Sequence, residues 1–103
     1  MFDLIVIIRT TGPGNIAAVA EALDRMRPMC LAEDGCVAWE AYQSQADPRQ
    51  FVLVERWLTR AHWEAHGEGP AIQDVYLTEI LPRVEREVHP SVPVQSQPVG
   101  VSA

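Results

Sequence analysis

Two histidines in the segment HWEAH are the residues of this chain best suited to proton chemistry. His62 and His66 are four residues apart, which places both side chains on one face of a helix. Because an imidazole exchanges a proton near neutral pH, His66 could be a base that takes a proton from a substrate or a donor to a developing oxyanion, with His62 as an orienting donor. A half-exposed histidine at the end of a helix, favoured there by the helix dipole, is the alternative.

The histidine pair does not match a metal site. A zinc-protease helix has Glu directly after its first His, whereas here that place holds Trp63 and the acid is Glu64. Cys30 and Cys36 are the only cysteines and lack the CxxC spacing. Since zinc needs three or four placed ligands, we expect no metal. The cysteines are predicted to be reduced thiols that pack as small hydrophobic groups.

Aromatic side chains could fill the core or line a flat slot for an aromatic ligand, and the core is the first expectation. If a slot exists, we expect its walls to include Trp63, Ile72, Tyr76 and Trp39, because ligand pockets are mostly apolar with a few polar groups. The charged residues Arg9, Arg56 and Glu55 are predicted to lie at the surface or in an interface.

Length and composition narrow the class of protein. The 103 residues suit one domain, and 48% hydrophobic residues suit a globular one. A net charge of −6 with no lysine argues against a nucleic-acid partner. The longest apolar run, residues 4–8, is too short to span a membrane, for which about 20 residues are needed. No signal peptide is recognisable, so we expect a cytoplasmic protein.

The order of predicted elements is β-α-β-β-α-β, which is typical of an α+β, ferredoxin-like fold with an antiparallel sheet. Asn15 is the expected N-cap of the first helix, and Pro28 is expected to kink or end it. A short helix follows Thr59 and a second helical piece ends before Pro82. The predicted strands are residues 2–9, 36–44, 51–57 and 84–89, and the predicted helices are residues 16–30, 60–66 and 71–81.

Strand one is apolar on both of its faces. Leu4, Val6 and Ile8 alternate with Ile5 and Ile7, so both sets need cover, whereas the two helices cover only one face of a ferredoxin-like sheet. Leaving the second set in water would cost about 1.5–3 kcal/mol for each side chain. We therefore predict a homodimer that pairs through the open sheet face, since closed two-fold dimers are the commonest oligomers.

The segment FVLVERWLTRAHWEAH, residues 51–66, resembles the antibiotic biosynthesis monooxygenase family, whose members form dimeric α+β barrels. The resemblance rests on Glu55, Trp57 and His66 in their order and spacing. It is supported by Pro-Gly before the first helix, Gly-Cys at the start of strand two and Asp-Pro in the hairpin. It covers about residues 2–89, so we predict a family domain at 1–89 and a C-terminal tail rich in Pro, Ser and Val at 90–103.

The resemblance implies cofactor-independent oxidation of a phenol, quinol or polyketide-like aromatic by O2, in a pocket between the sheet and the second helical region. Haem-degrading relatives use Asn, Trp and His at positions that fall near Ile8, at His66 and at Tyr76, and none matches here. Certain polyketide-oxidising members carry Asn and Trp where this chain has His62 and His66. A small-molecule-binding barrel without catalysis, and an isomerase of a small carbonyl compound, are the alternatives.

Overall fold

The computed structural model describes residues 1–96, in which four strands and three helices follow the predicted order. A short 3-10 turn, Leu81–Arg83, precedes the last strand, and another, Val94–Ser96, follows it. No helix within residues 1–96 is long and apolar enough to cross a membrane. The elements are β1 Phe2–Thr10, α1 Asn15–Leu31, β2 Cys36–Gln43, β3 Gln50–Trp57, α2 Arg60–His66, α3 Ala71–Ile80 and β4 Val84–Ser91.

The four strands form one antiparallel sheet in the order β2-β3-β1-β4. The first and third strands lie in the middle, because β1 pairs with β3 on one side and β4 on the other. This confirms the predicted α+β, ferredoxin-like fold.

The two faces of the sheet are covered unequally. Leu4, Val6 and Ile8 of β1 are buried in the core with residues of α1 and α3, whereas Ile5 and Ile7 point to the other face and are only half-buried. The same alternation runs through β3, where each odd-numbered residue from 51 to 57 is buried. The prediction that both faces carry apolar residues is confirmed, and the helices cover one face.

Helix α1 differs from the prediction at both ends. Gly14, not Asn15, occupies the N-cap, because the chain turns there through a positive φ of 82° that glycine adopts without strain. The predicted end of the helix at Pro28 is wrong, since the helix continues to Leu31, and the alternative of a kink there stays a prediction. Pro28 and the residue four places before it, Asp24, are both exposed, so water can satisfy the carbonyl that proline leaves without a donor.

The C-terminal elements also depart from expectation. Segment α3 is a π-helix rather than an α-helix, so its hydrogen bonds span five residues. Strand β4 extends to Ser91, and Pro90 pairs opposite Leu4 at the sheet edge, where a residue without an N–H is tolerated. Two residues assigned to the tail therefore belong to the sheet. The rest of the predicted tail from residue 97 onwards lies outside the described residues.

Candidate active site

A cavity of about 340 Å³ lies between the helix-covered face of the sheet and helices α2 and α3. Its size falls in the range of small-molecule sites, about 300–1,000 Å³. Its walls are mainly apolar, with three ionisable side chains and a tyrosine among them. The lining residues are Leu4, Val6, Met26, Trp39, Leu53, Glu55, Trp63, His66, Ile72, Tyr76, Arg86 and Val88.

His66 is the last residue of α2 and is only 4% exposed. The Thr59 side chain accepts a hydrogen bond from the N–H of His62 and so caps the first turn of this short helix. Nδ1 of His66 lies 2.7 Å from Oε1 of Glu33. Because a carboxylate only accepts hydrogen bonds, Nδ1 carries the proton in this pair and Nε2 of the neutral ring carries a lone pair.

Glu55 lies beside the imidazole and is also only 4% exposed. It comes from β3, where alternation directs Phe51, Leu53, Glu55 and Trp57 to the covered face. Its Oε1 accepts a hydrogen bond of 3.1 Å from Nε1 of Trp57 and lies 4.0 Å from Nε2 of His66. Burial raises the pKa of Glu55 to about 7, the Trp57 bond lowers it, and the charge of Glu33 raises it further. The prediction of a surface or interface charge was wrong for Glu55.

Glu33 reaches the site from the loop that follows α1. Its backbone N–H bonds to the carbonyl of Cys30, so the loop continues the last helical turn and carries the carboxylate towards α2. Among the described residues its Oε2 is buried without a hydrogen-bond partner. The arrangement joins a carboxylate, an imidazole and a second carboxyl group in one row, Glu33–His66–Glu55.

Three groups here are of metal-ligand type: Cys30, Glu33 and His66 have donor atoms that all lie within 4.8 Å of one another. Nδ1 of His66 and Oε1 of Glu33 are already joined by a hydrogen bond of 2.7 Å. Burial raises the pKa of the Cys30 thiol far above its usual range, which keeps the sulfur protonated and a poor ligand. We therefore assign Glu33 and His66 to hydrogen bonding and Cys30 to the hydrophobic core, and the absence of a metal stays a prediction.

Tyr76 and Arg86 form a second polar group on the cavity wall. Nη1 of Arg86 donates to the Tyr76 hydroxyl at 3.4 Å, and its guanidinium carbon lies 5.7 Å from the centre of the Tyr76 ring. Burial raises the pKa of Tyr76, and the hydrogen bond from Arg86 partly offsets that rise. Within residues 1–96, Arg86 makes no ion pair, so its remaining N–H groups can donate to a ligand.

Trp39 is fully buried and forms another part of the wall. It pairs directly opposite Glu55 across β2 and β3, so both side chains lie on the covered face. In the described part of the chain its indole N–H has no hydrogen-bond partner. Since an unpaired buried donor costs about 1–3 kcal/mol, this N–H favours a ligand that brings an oxygen atom.

His62 lies outside this cavity, although it shares α2 with His66. Its Nδ1 is 2.7 Å from the Thr59 hydroxyl, and its Nε2 is 3.6 Å from a carboxylate oxygen of Asp34. The ring packs against Gly35, where an added Cβ would come within 2.2 Å of it. His62 therefore contributes to the joint between α2 and the loop before β2.

The cavity collects most of the predicted site residues and adds others. His66, Trp63, Ile72, Tyr76 and Trp39 all line it, and His62 does not. Sequence reasoning missed Glu33, Glu55 and Arg86. For Glu55 a signal existed, since it is the one acid in an otherwise apolar set on β3. Arg86 likewise alternates with Val84 and Val88, whereas nothing in the sequence singles out Glu33.

Comparison with known proteins agrees with the fold. The family model described as antibiotic biosynthesis monooxygenase matches residues 2–76. An Escherichia coli protein named "Probable quinol monooxygenase YgiN" is 34% identical over 80 residues, which cover 68% of this chain and 76% of that protein. A crystal structure of an antibiotic biosynthesis monooxygenase superposes with a TM-score of 0.78 at 19% identity, covering 89% of this chain and 98% of the other. Rv0793 from Mycobacterium tuberculosis gives a TM-score of 0.73 at 22% identity, covering 90% of this chain and 97% of the other.

Proposed function

The chain belongs to the antibiotic biosynthesis monooxygenase family, and from this premise we propose that it is a cofactor-independent monooxygenase that oxidises a small phenol or quinol with O2. The observation that carries the proposal is the buried imidazole of His66 on the wall of an apolar cavity, with Nδ1 held by Glu33. Such an imidazole has a fixed tautomer and presents Nε2 as the proton acceptor.

The first step is proton transfer from a substrate hydroxyl to Nε2 of His66, in the manner of general base catalysis. The resulting phenolate is electron-rich enough to reduce O2 itself, so the protein supplies orientation and a site that excludes bulk water. A quinol and O2 then give a hydroxyquinone and water. Trp63, Ile72 and Trp39 would hold the aromatic ring, and Glu33 would steady the imidazolium.

The second polar group favours a substrate with two oxygens. Glu55 is paired opposite Leu4 and Arg86 opposite Ile8, which are four residues apart on β1, or about 13 Å of strand. An aromatic ring that bridges this cavity could place one oxygen near His66 and the other near the Arg86 guanidinium. A quinol has this two-ended chemistry, and it is the class in the printed name of the Escherichia coli relative.

The experiment is aerobic and anaerobic turnover of a panel of hydroquinones and naphthohydroquinones by the purified, metal-free protein. We expect quinol loss that requires O2 and consumes one O2 for each quinol. Thermal stabilisation by the quinols without O2 uptake would support the binding-barrel alternative. Substrate conversion at the same rate without O2 would support isomerisation, which the acid–imidazole pair could also perform.

We propose in addition that two copies pair through the open sheet face. This face carries Ile5, Ile7, Val52, Val54 and Tyr42 around its middle, and charged residues at its margins. Val54 is 37% exposed and Tyr42 is 59% exposed in the single chain. Pairing would remove these side chains from water, which is worth about 25 cal/mol for each Å² of apolar surface buried.

A further inference from the structure

We infer that Glu55 is a second catalytic residue of the proposed oxidation: the acid that protonates the peroxide formed when O2 adds to the substrate. This inference rests on the proposed function, because it assigns an acid to a reaction for which His66 is the base. Glu55 lines the same cavity as His66, and its Oε1 lies 4.0 Å from Nε2 of that residue. Base and acid therefore face one substrate position.

The reaction needs an acid as well as a base. After His66 takes the hydroxyl proton, electron transfer and radical recombination form a bond between an ortho ring carbon and oxygen, leaving a peroxide anion on that carbon. Glu55 gives its proton to this anion, which becomes a hydroperoxide. The Glu55 carboxylate then takes the ring C–H proton, the C–H electron pair forms the new C=O bond, and the O–O pair leaves with hydroxide. Hydroxide takes the proton from the His66 imidazolium and becomes water.

This cycle is balanced in protons and electrons. His66 and Glu55 both return to their starting states, the quinol is oxidised by four electrons, and O2 is reduced to one carbonyl oxygen and one water oxygen. No other reductant or oxidant enters. The two groups alternate because protons must be removed from the substrate and delivered to oxygen in the same closed space.

The surroundings of Glu55 favour its neutral form, so that it can act as an acid beside the imidazole of His66. Burial is the main cause of the rise of its pKa to about 7, and the Trp57 N–H is its one hydrogen-bond donor among the described residues. Environments that separate the protonation states of two neighbouring groups are typical of acid–base pairs. The titratable groups that face it from the other elements are Cys30, Glu33, Cys36, His66, Tyr76 and Arg86.

The geometry also explains why Glu33 does not fill this role. Its Oε1 is held by Nδ1 of His66 on the side of the ring away from Glu55, and Glu33 does not line the cavity. Glu33 is therefore a positioning residue, which acts on the substrate only through His66. The two carboxyl groups that flank one imidazole thus have separate functions.

The test compares Glu55→Gln with wild type and with the exposed control Glu68→Gln. Glutamine keeps the size of Glu55 and an acceptor for the Trp57 N–H, but it cannot deliver a proton. We expect kcat to fall about 100-fold in Glu55→Gln, in the range typical of a lost general acid. We also expect hydrogen peroxide release to approach one for each O2 consumed, because the unprotonated peroxide or superoxide escapes. Glu55→Asp should recover part of the coupling.

Two readouts separate catalysis from structure. The kcat of wild type and Glu68→Gln should decline above pH 7 as Glu55 loses its proton, and this limb should be absent in Glu55→Gln. An infrared band of a protonated carboxyl group should titrate near pH 7 in wild type and be missing from Glu55→Gln. Wild-type coupling and an unchanged pH profile in Glu55→Gln would overturn the role of Glu55 alone. Absence of O2 uptake by wild type with every quinol would overturn the proposed function and this role together.

Discussion

The two faces of the sheet both have apolar centres, but their polar residues differ in position and burial. On the covered face, Glu55 is buried among apolar side chains around one cavity, and Arg86 lines the exposed side of that cavity. On the open face, the charged groups stay at the margin, where Arg56 contacts Asp3 at 2.6 Å with its own side chain 42% exposed. Exposed ion pairs of this kind contribute about 0–1 kcal/mol.

This difference shows that the helices do more than bury apolar side chains. By closing over one face, α2 and α3 place an imidazole and a carboxyl group in a region of low dielectric, where a proton transfer is sensitive to each neighbour. The open face has no such enclosure, so the role that we propose for it is association rather than chemistry. A change in the open face should therefore alter assembly, and a change in the covered face should alter pKa values and turnover.

The largest expected effect is on assembly. Val54→Asp places a carboxylate on the open face, and two-fold symmetry would bury it twice in the paired state, each at a cost of several kcal/mol. We expect the variant to elute as a monomer in size-exclusion chromatography with light scattering, at concentrations where wild type is a dimer. Leu58→Asp is the control, since Leu58 is also exposed but follows the end of β3. Equal masses for wild type and Val54→Asp would contradict the pairing face.

The second effect concerns stability on the covered face. Folded Glu55 holds its proton up to about pH 7, whereas the unfolded chain releases it near 4.5, so the folded state binds more protons between these values. The free energy of unfolding should therefore fall as pH rises through this window, by about 3 kcal/mol in total. Glu55→Gln should remove this fall, and urea unfolding at pH 5 and pH 8 measures it. A fall of the same size in the variant would exclude Glu55 as its source.

Much of the fold could be predicted because each strand and helix has a simple periodicity. The alternation in β1 indicates two covered faces, and the stripe of α1 that includes Val19, Leu23 and Met26 indicates one buried helix side. Pro28 does not end the helix as predicted, because Pro28 and Asp24 are exposed and water can satisfy the carbonyl that proline leaves without a donor. The π-helical form of α3 was also beyond prediction, since the spacing of its buried residues suits either helix.

The site could be predicted only in part, because its decisive contacts join distant segments. Helical spacing puts His62 and His66 on the same side of α2, yet only the position of the loop after α1 decides which ring meets which acid. That loop brings Asp34 to His62 and Glu33 to His66. The neighbouring residues Glu33 and Asp34 thus contact different histidines, Glu33 the inner His66 at the cavity and Asp34 the outer His62. No local sequence pattern encodes these contacts.

A smaller effect is expected at the far end of the cavity. Arg86→Met should weaken binding of 1,4-naphthoquinone about tenfold, because it removes a charged donor for one quinone oxygen while keeping the apolar length of the side chain. Quenching of tryptophan fluorescence during titration measures the affinity. Arg49→Met, in the exposed hairpin loop, should bind as wild type does. Unchanged affinity in Arg86→Met would remove Arg86 from the ligand site.

The most direct measurement of the central claim is kcat/KM for quinol-dependent O2 uptake in His66→Gln and His62→Gln, two identical substitutions four residues apart on one helix. We expect a loss of about 100-fold or more for His66→Gln, because the inner imidazole is the proposed base. We expect a change of less than about threefold for His62→Gln, since that ring contacts Thr59 and Asp34 outside the cavity. Equal values for the two variants would contradict the assignment of catalysis to the Glu33–His66–Glu55 row.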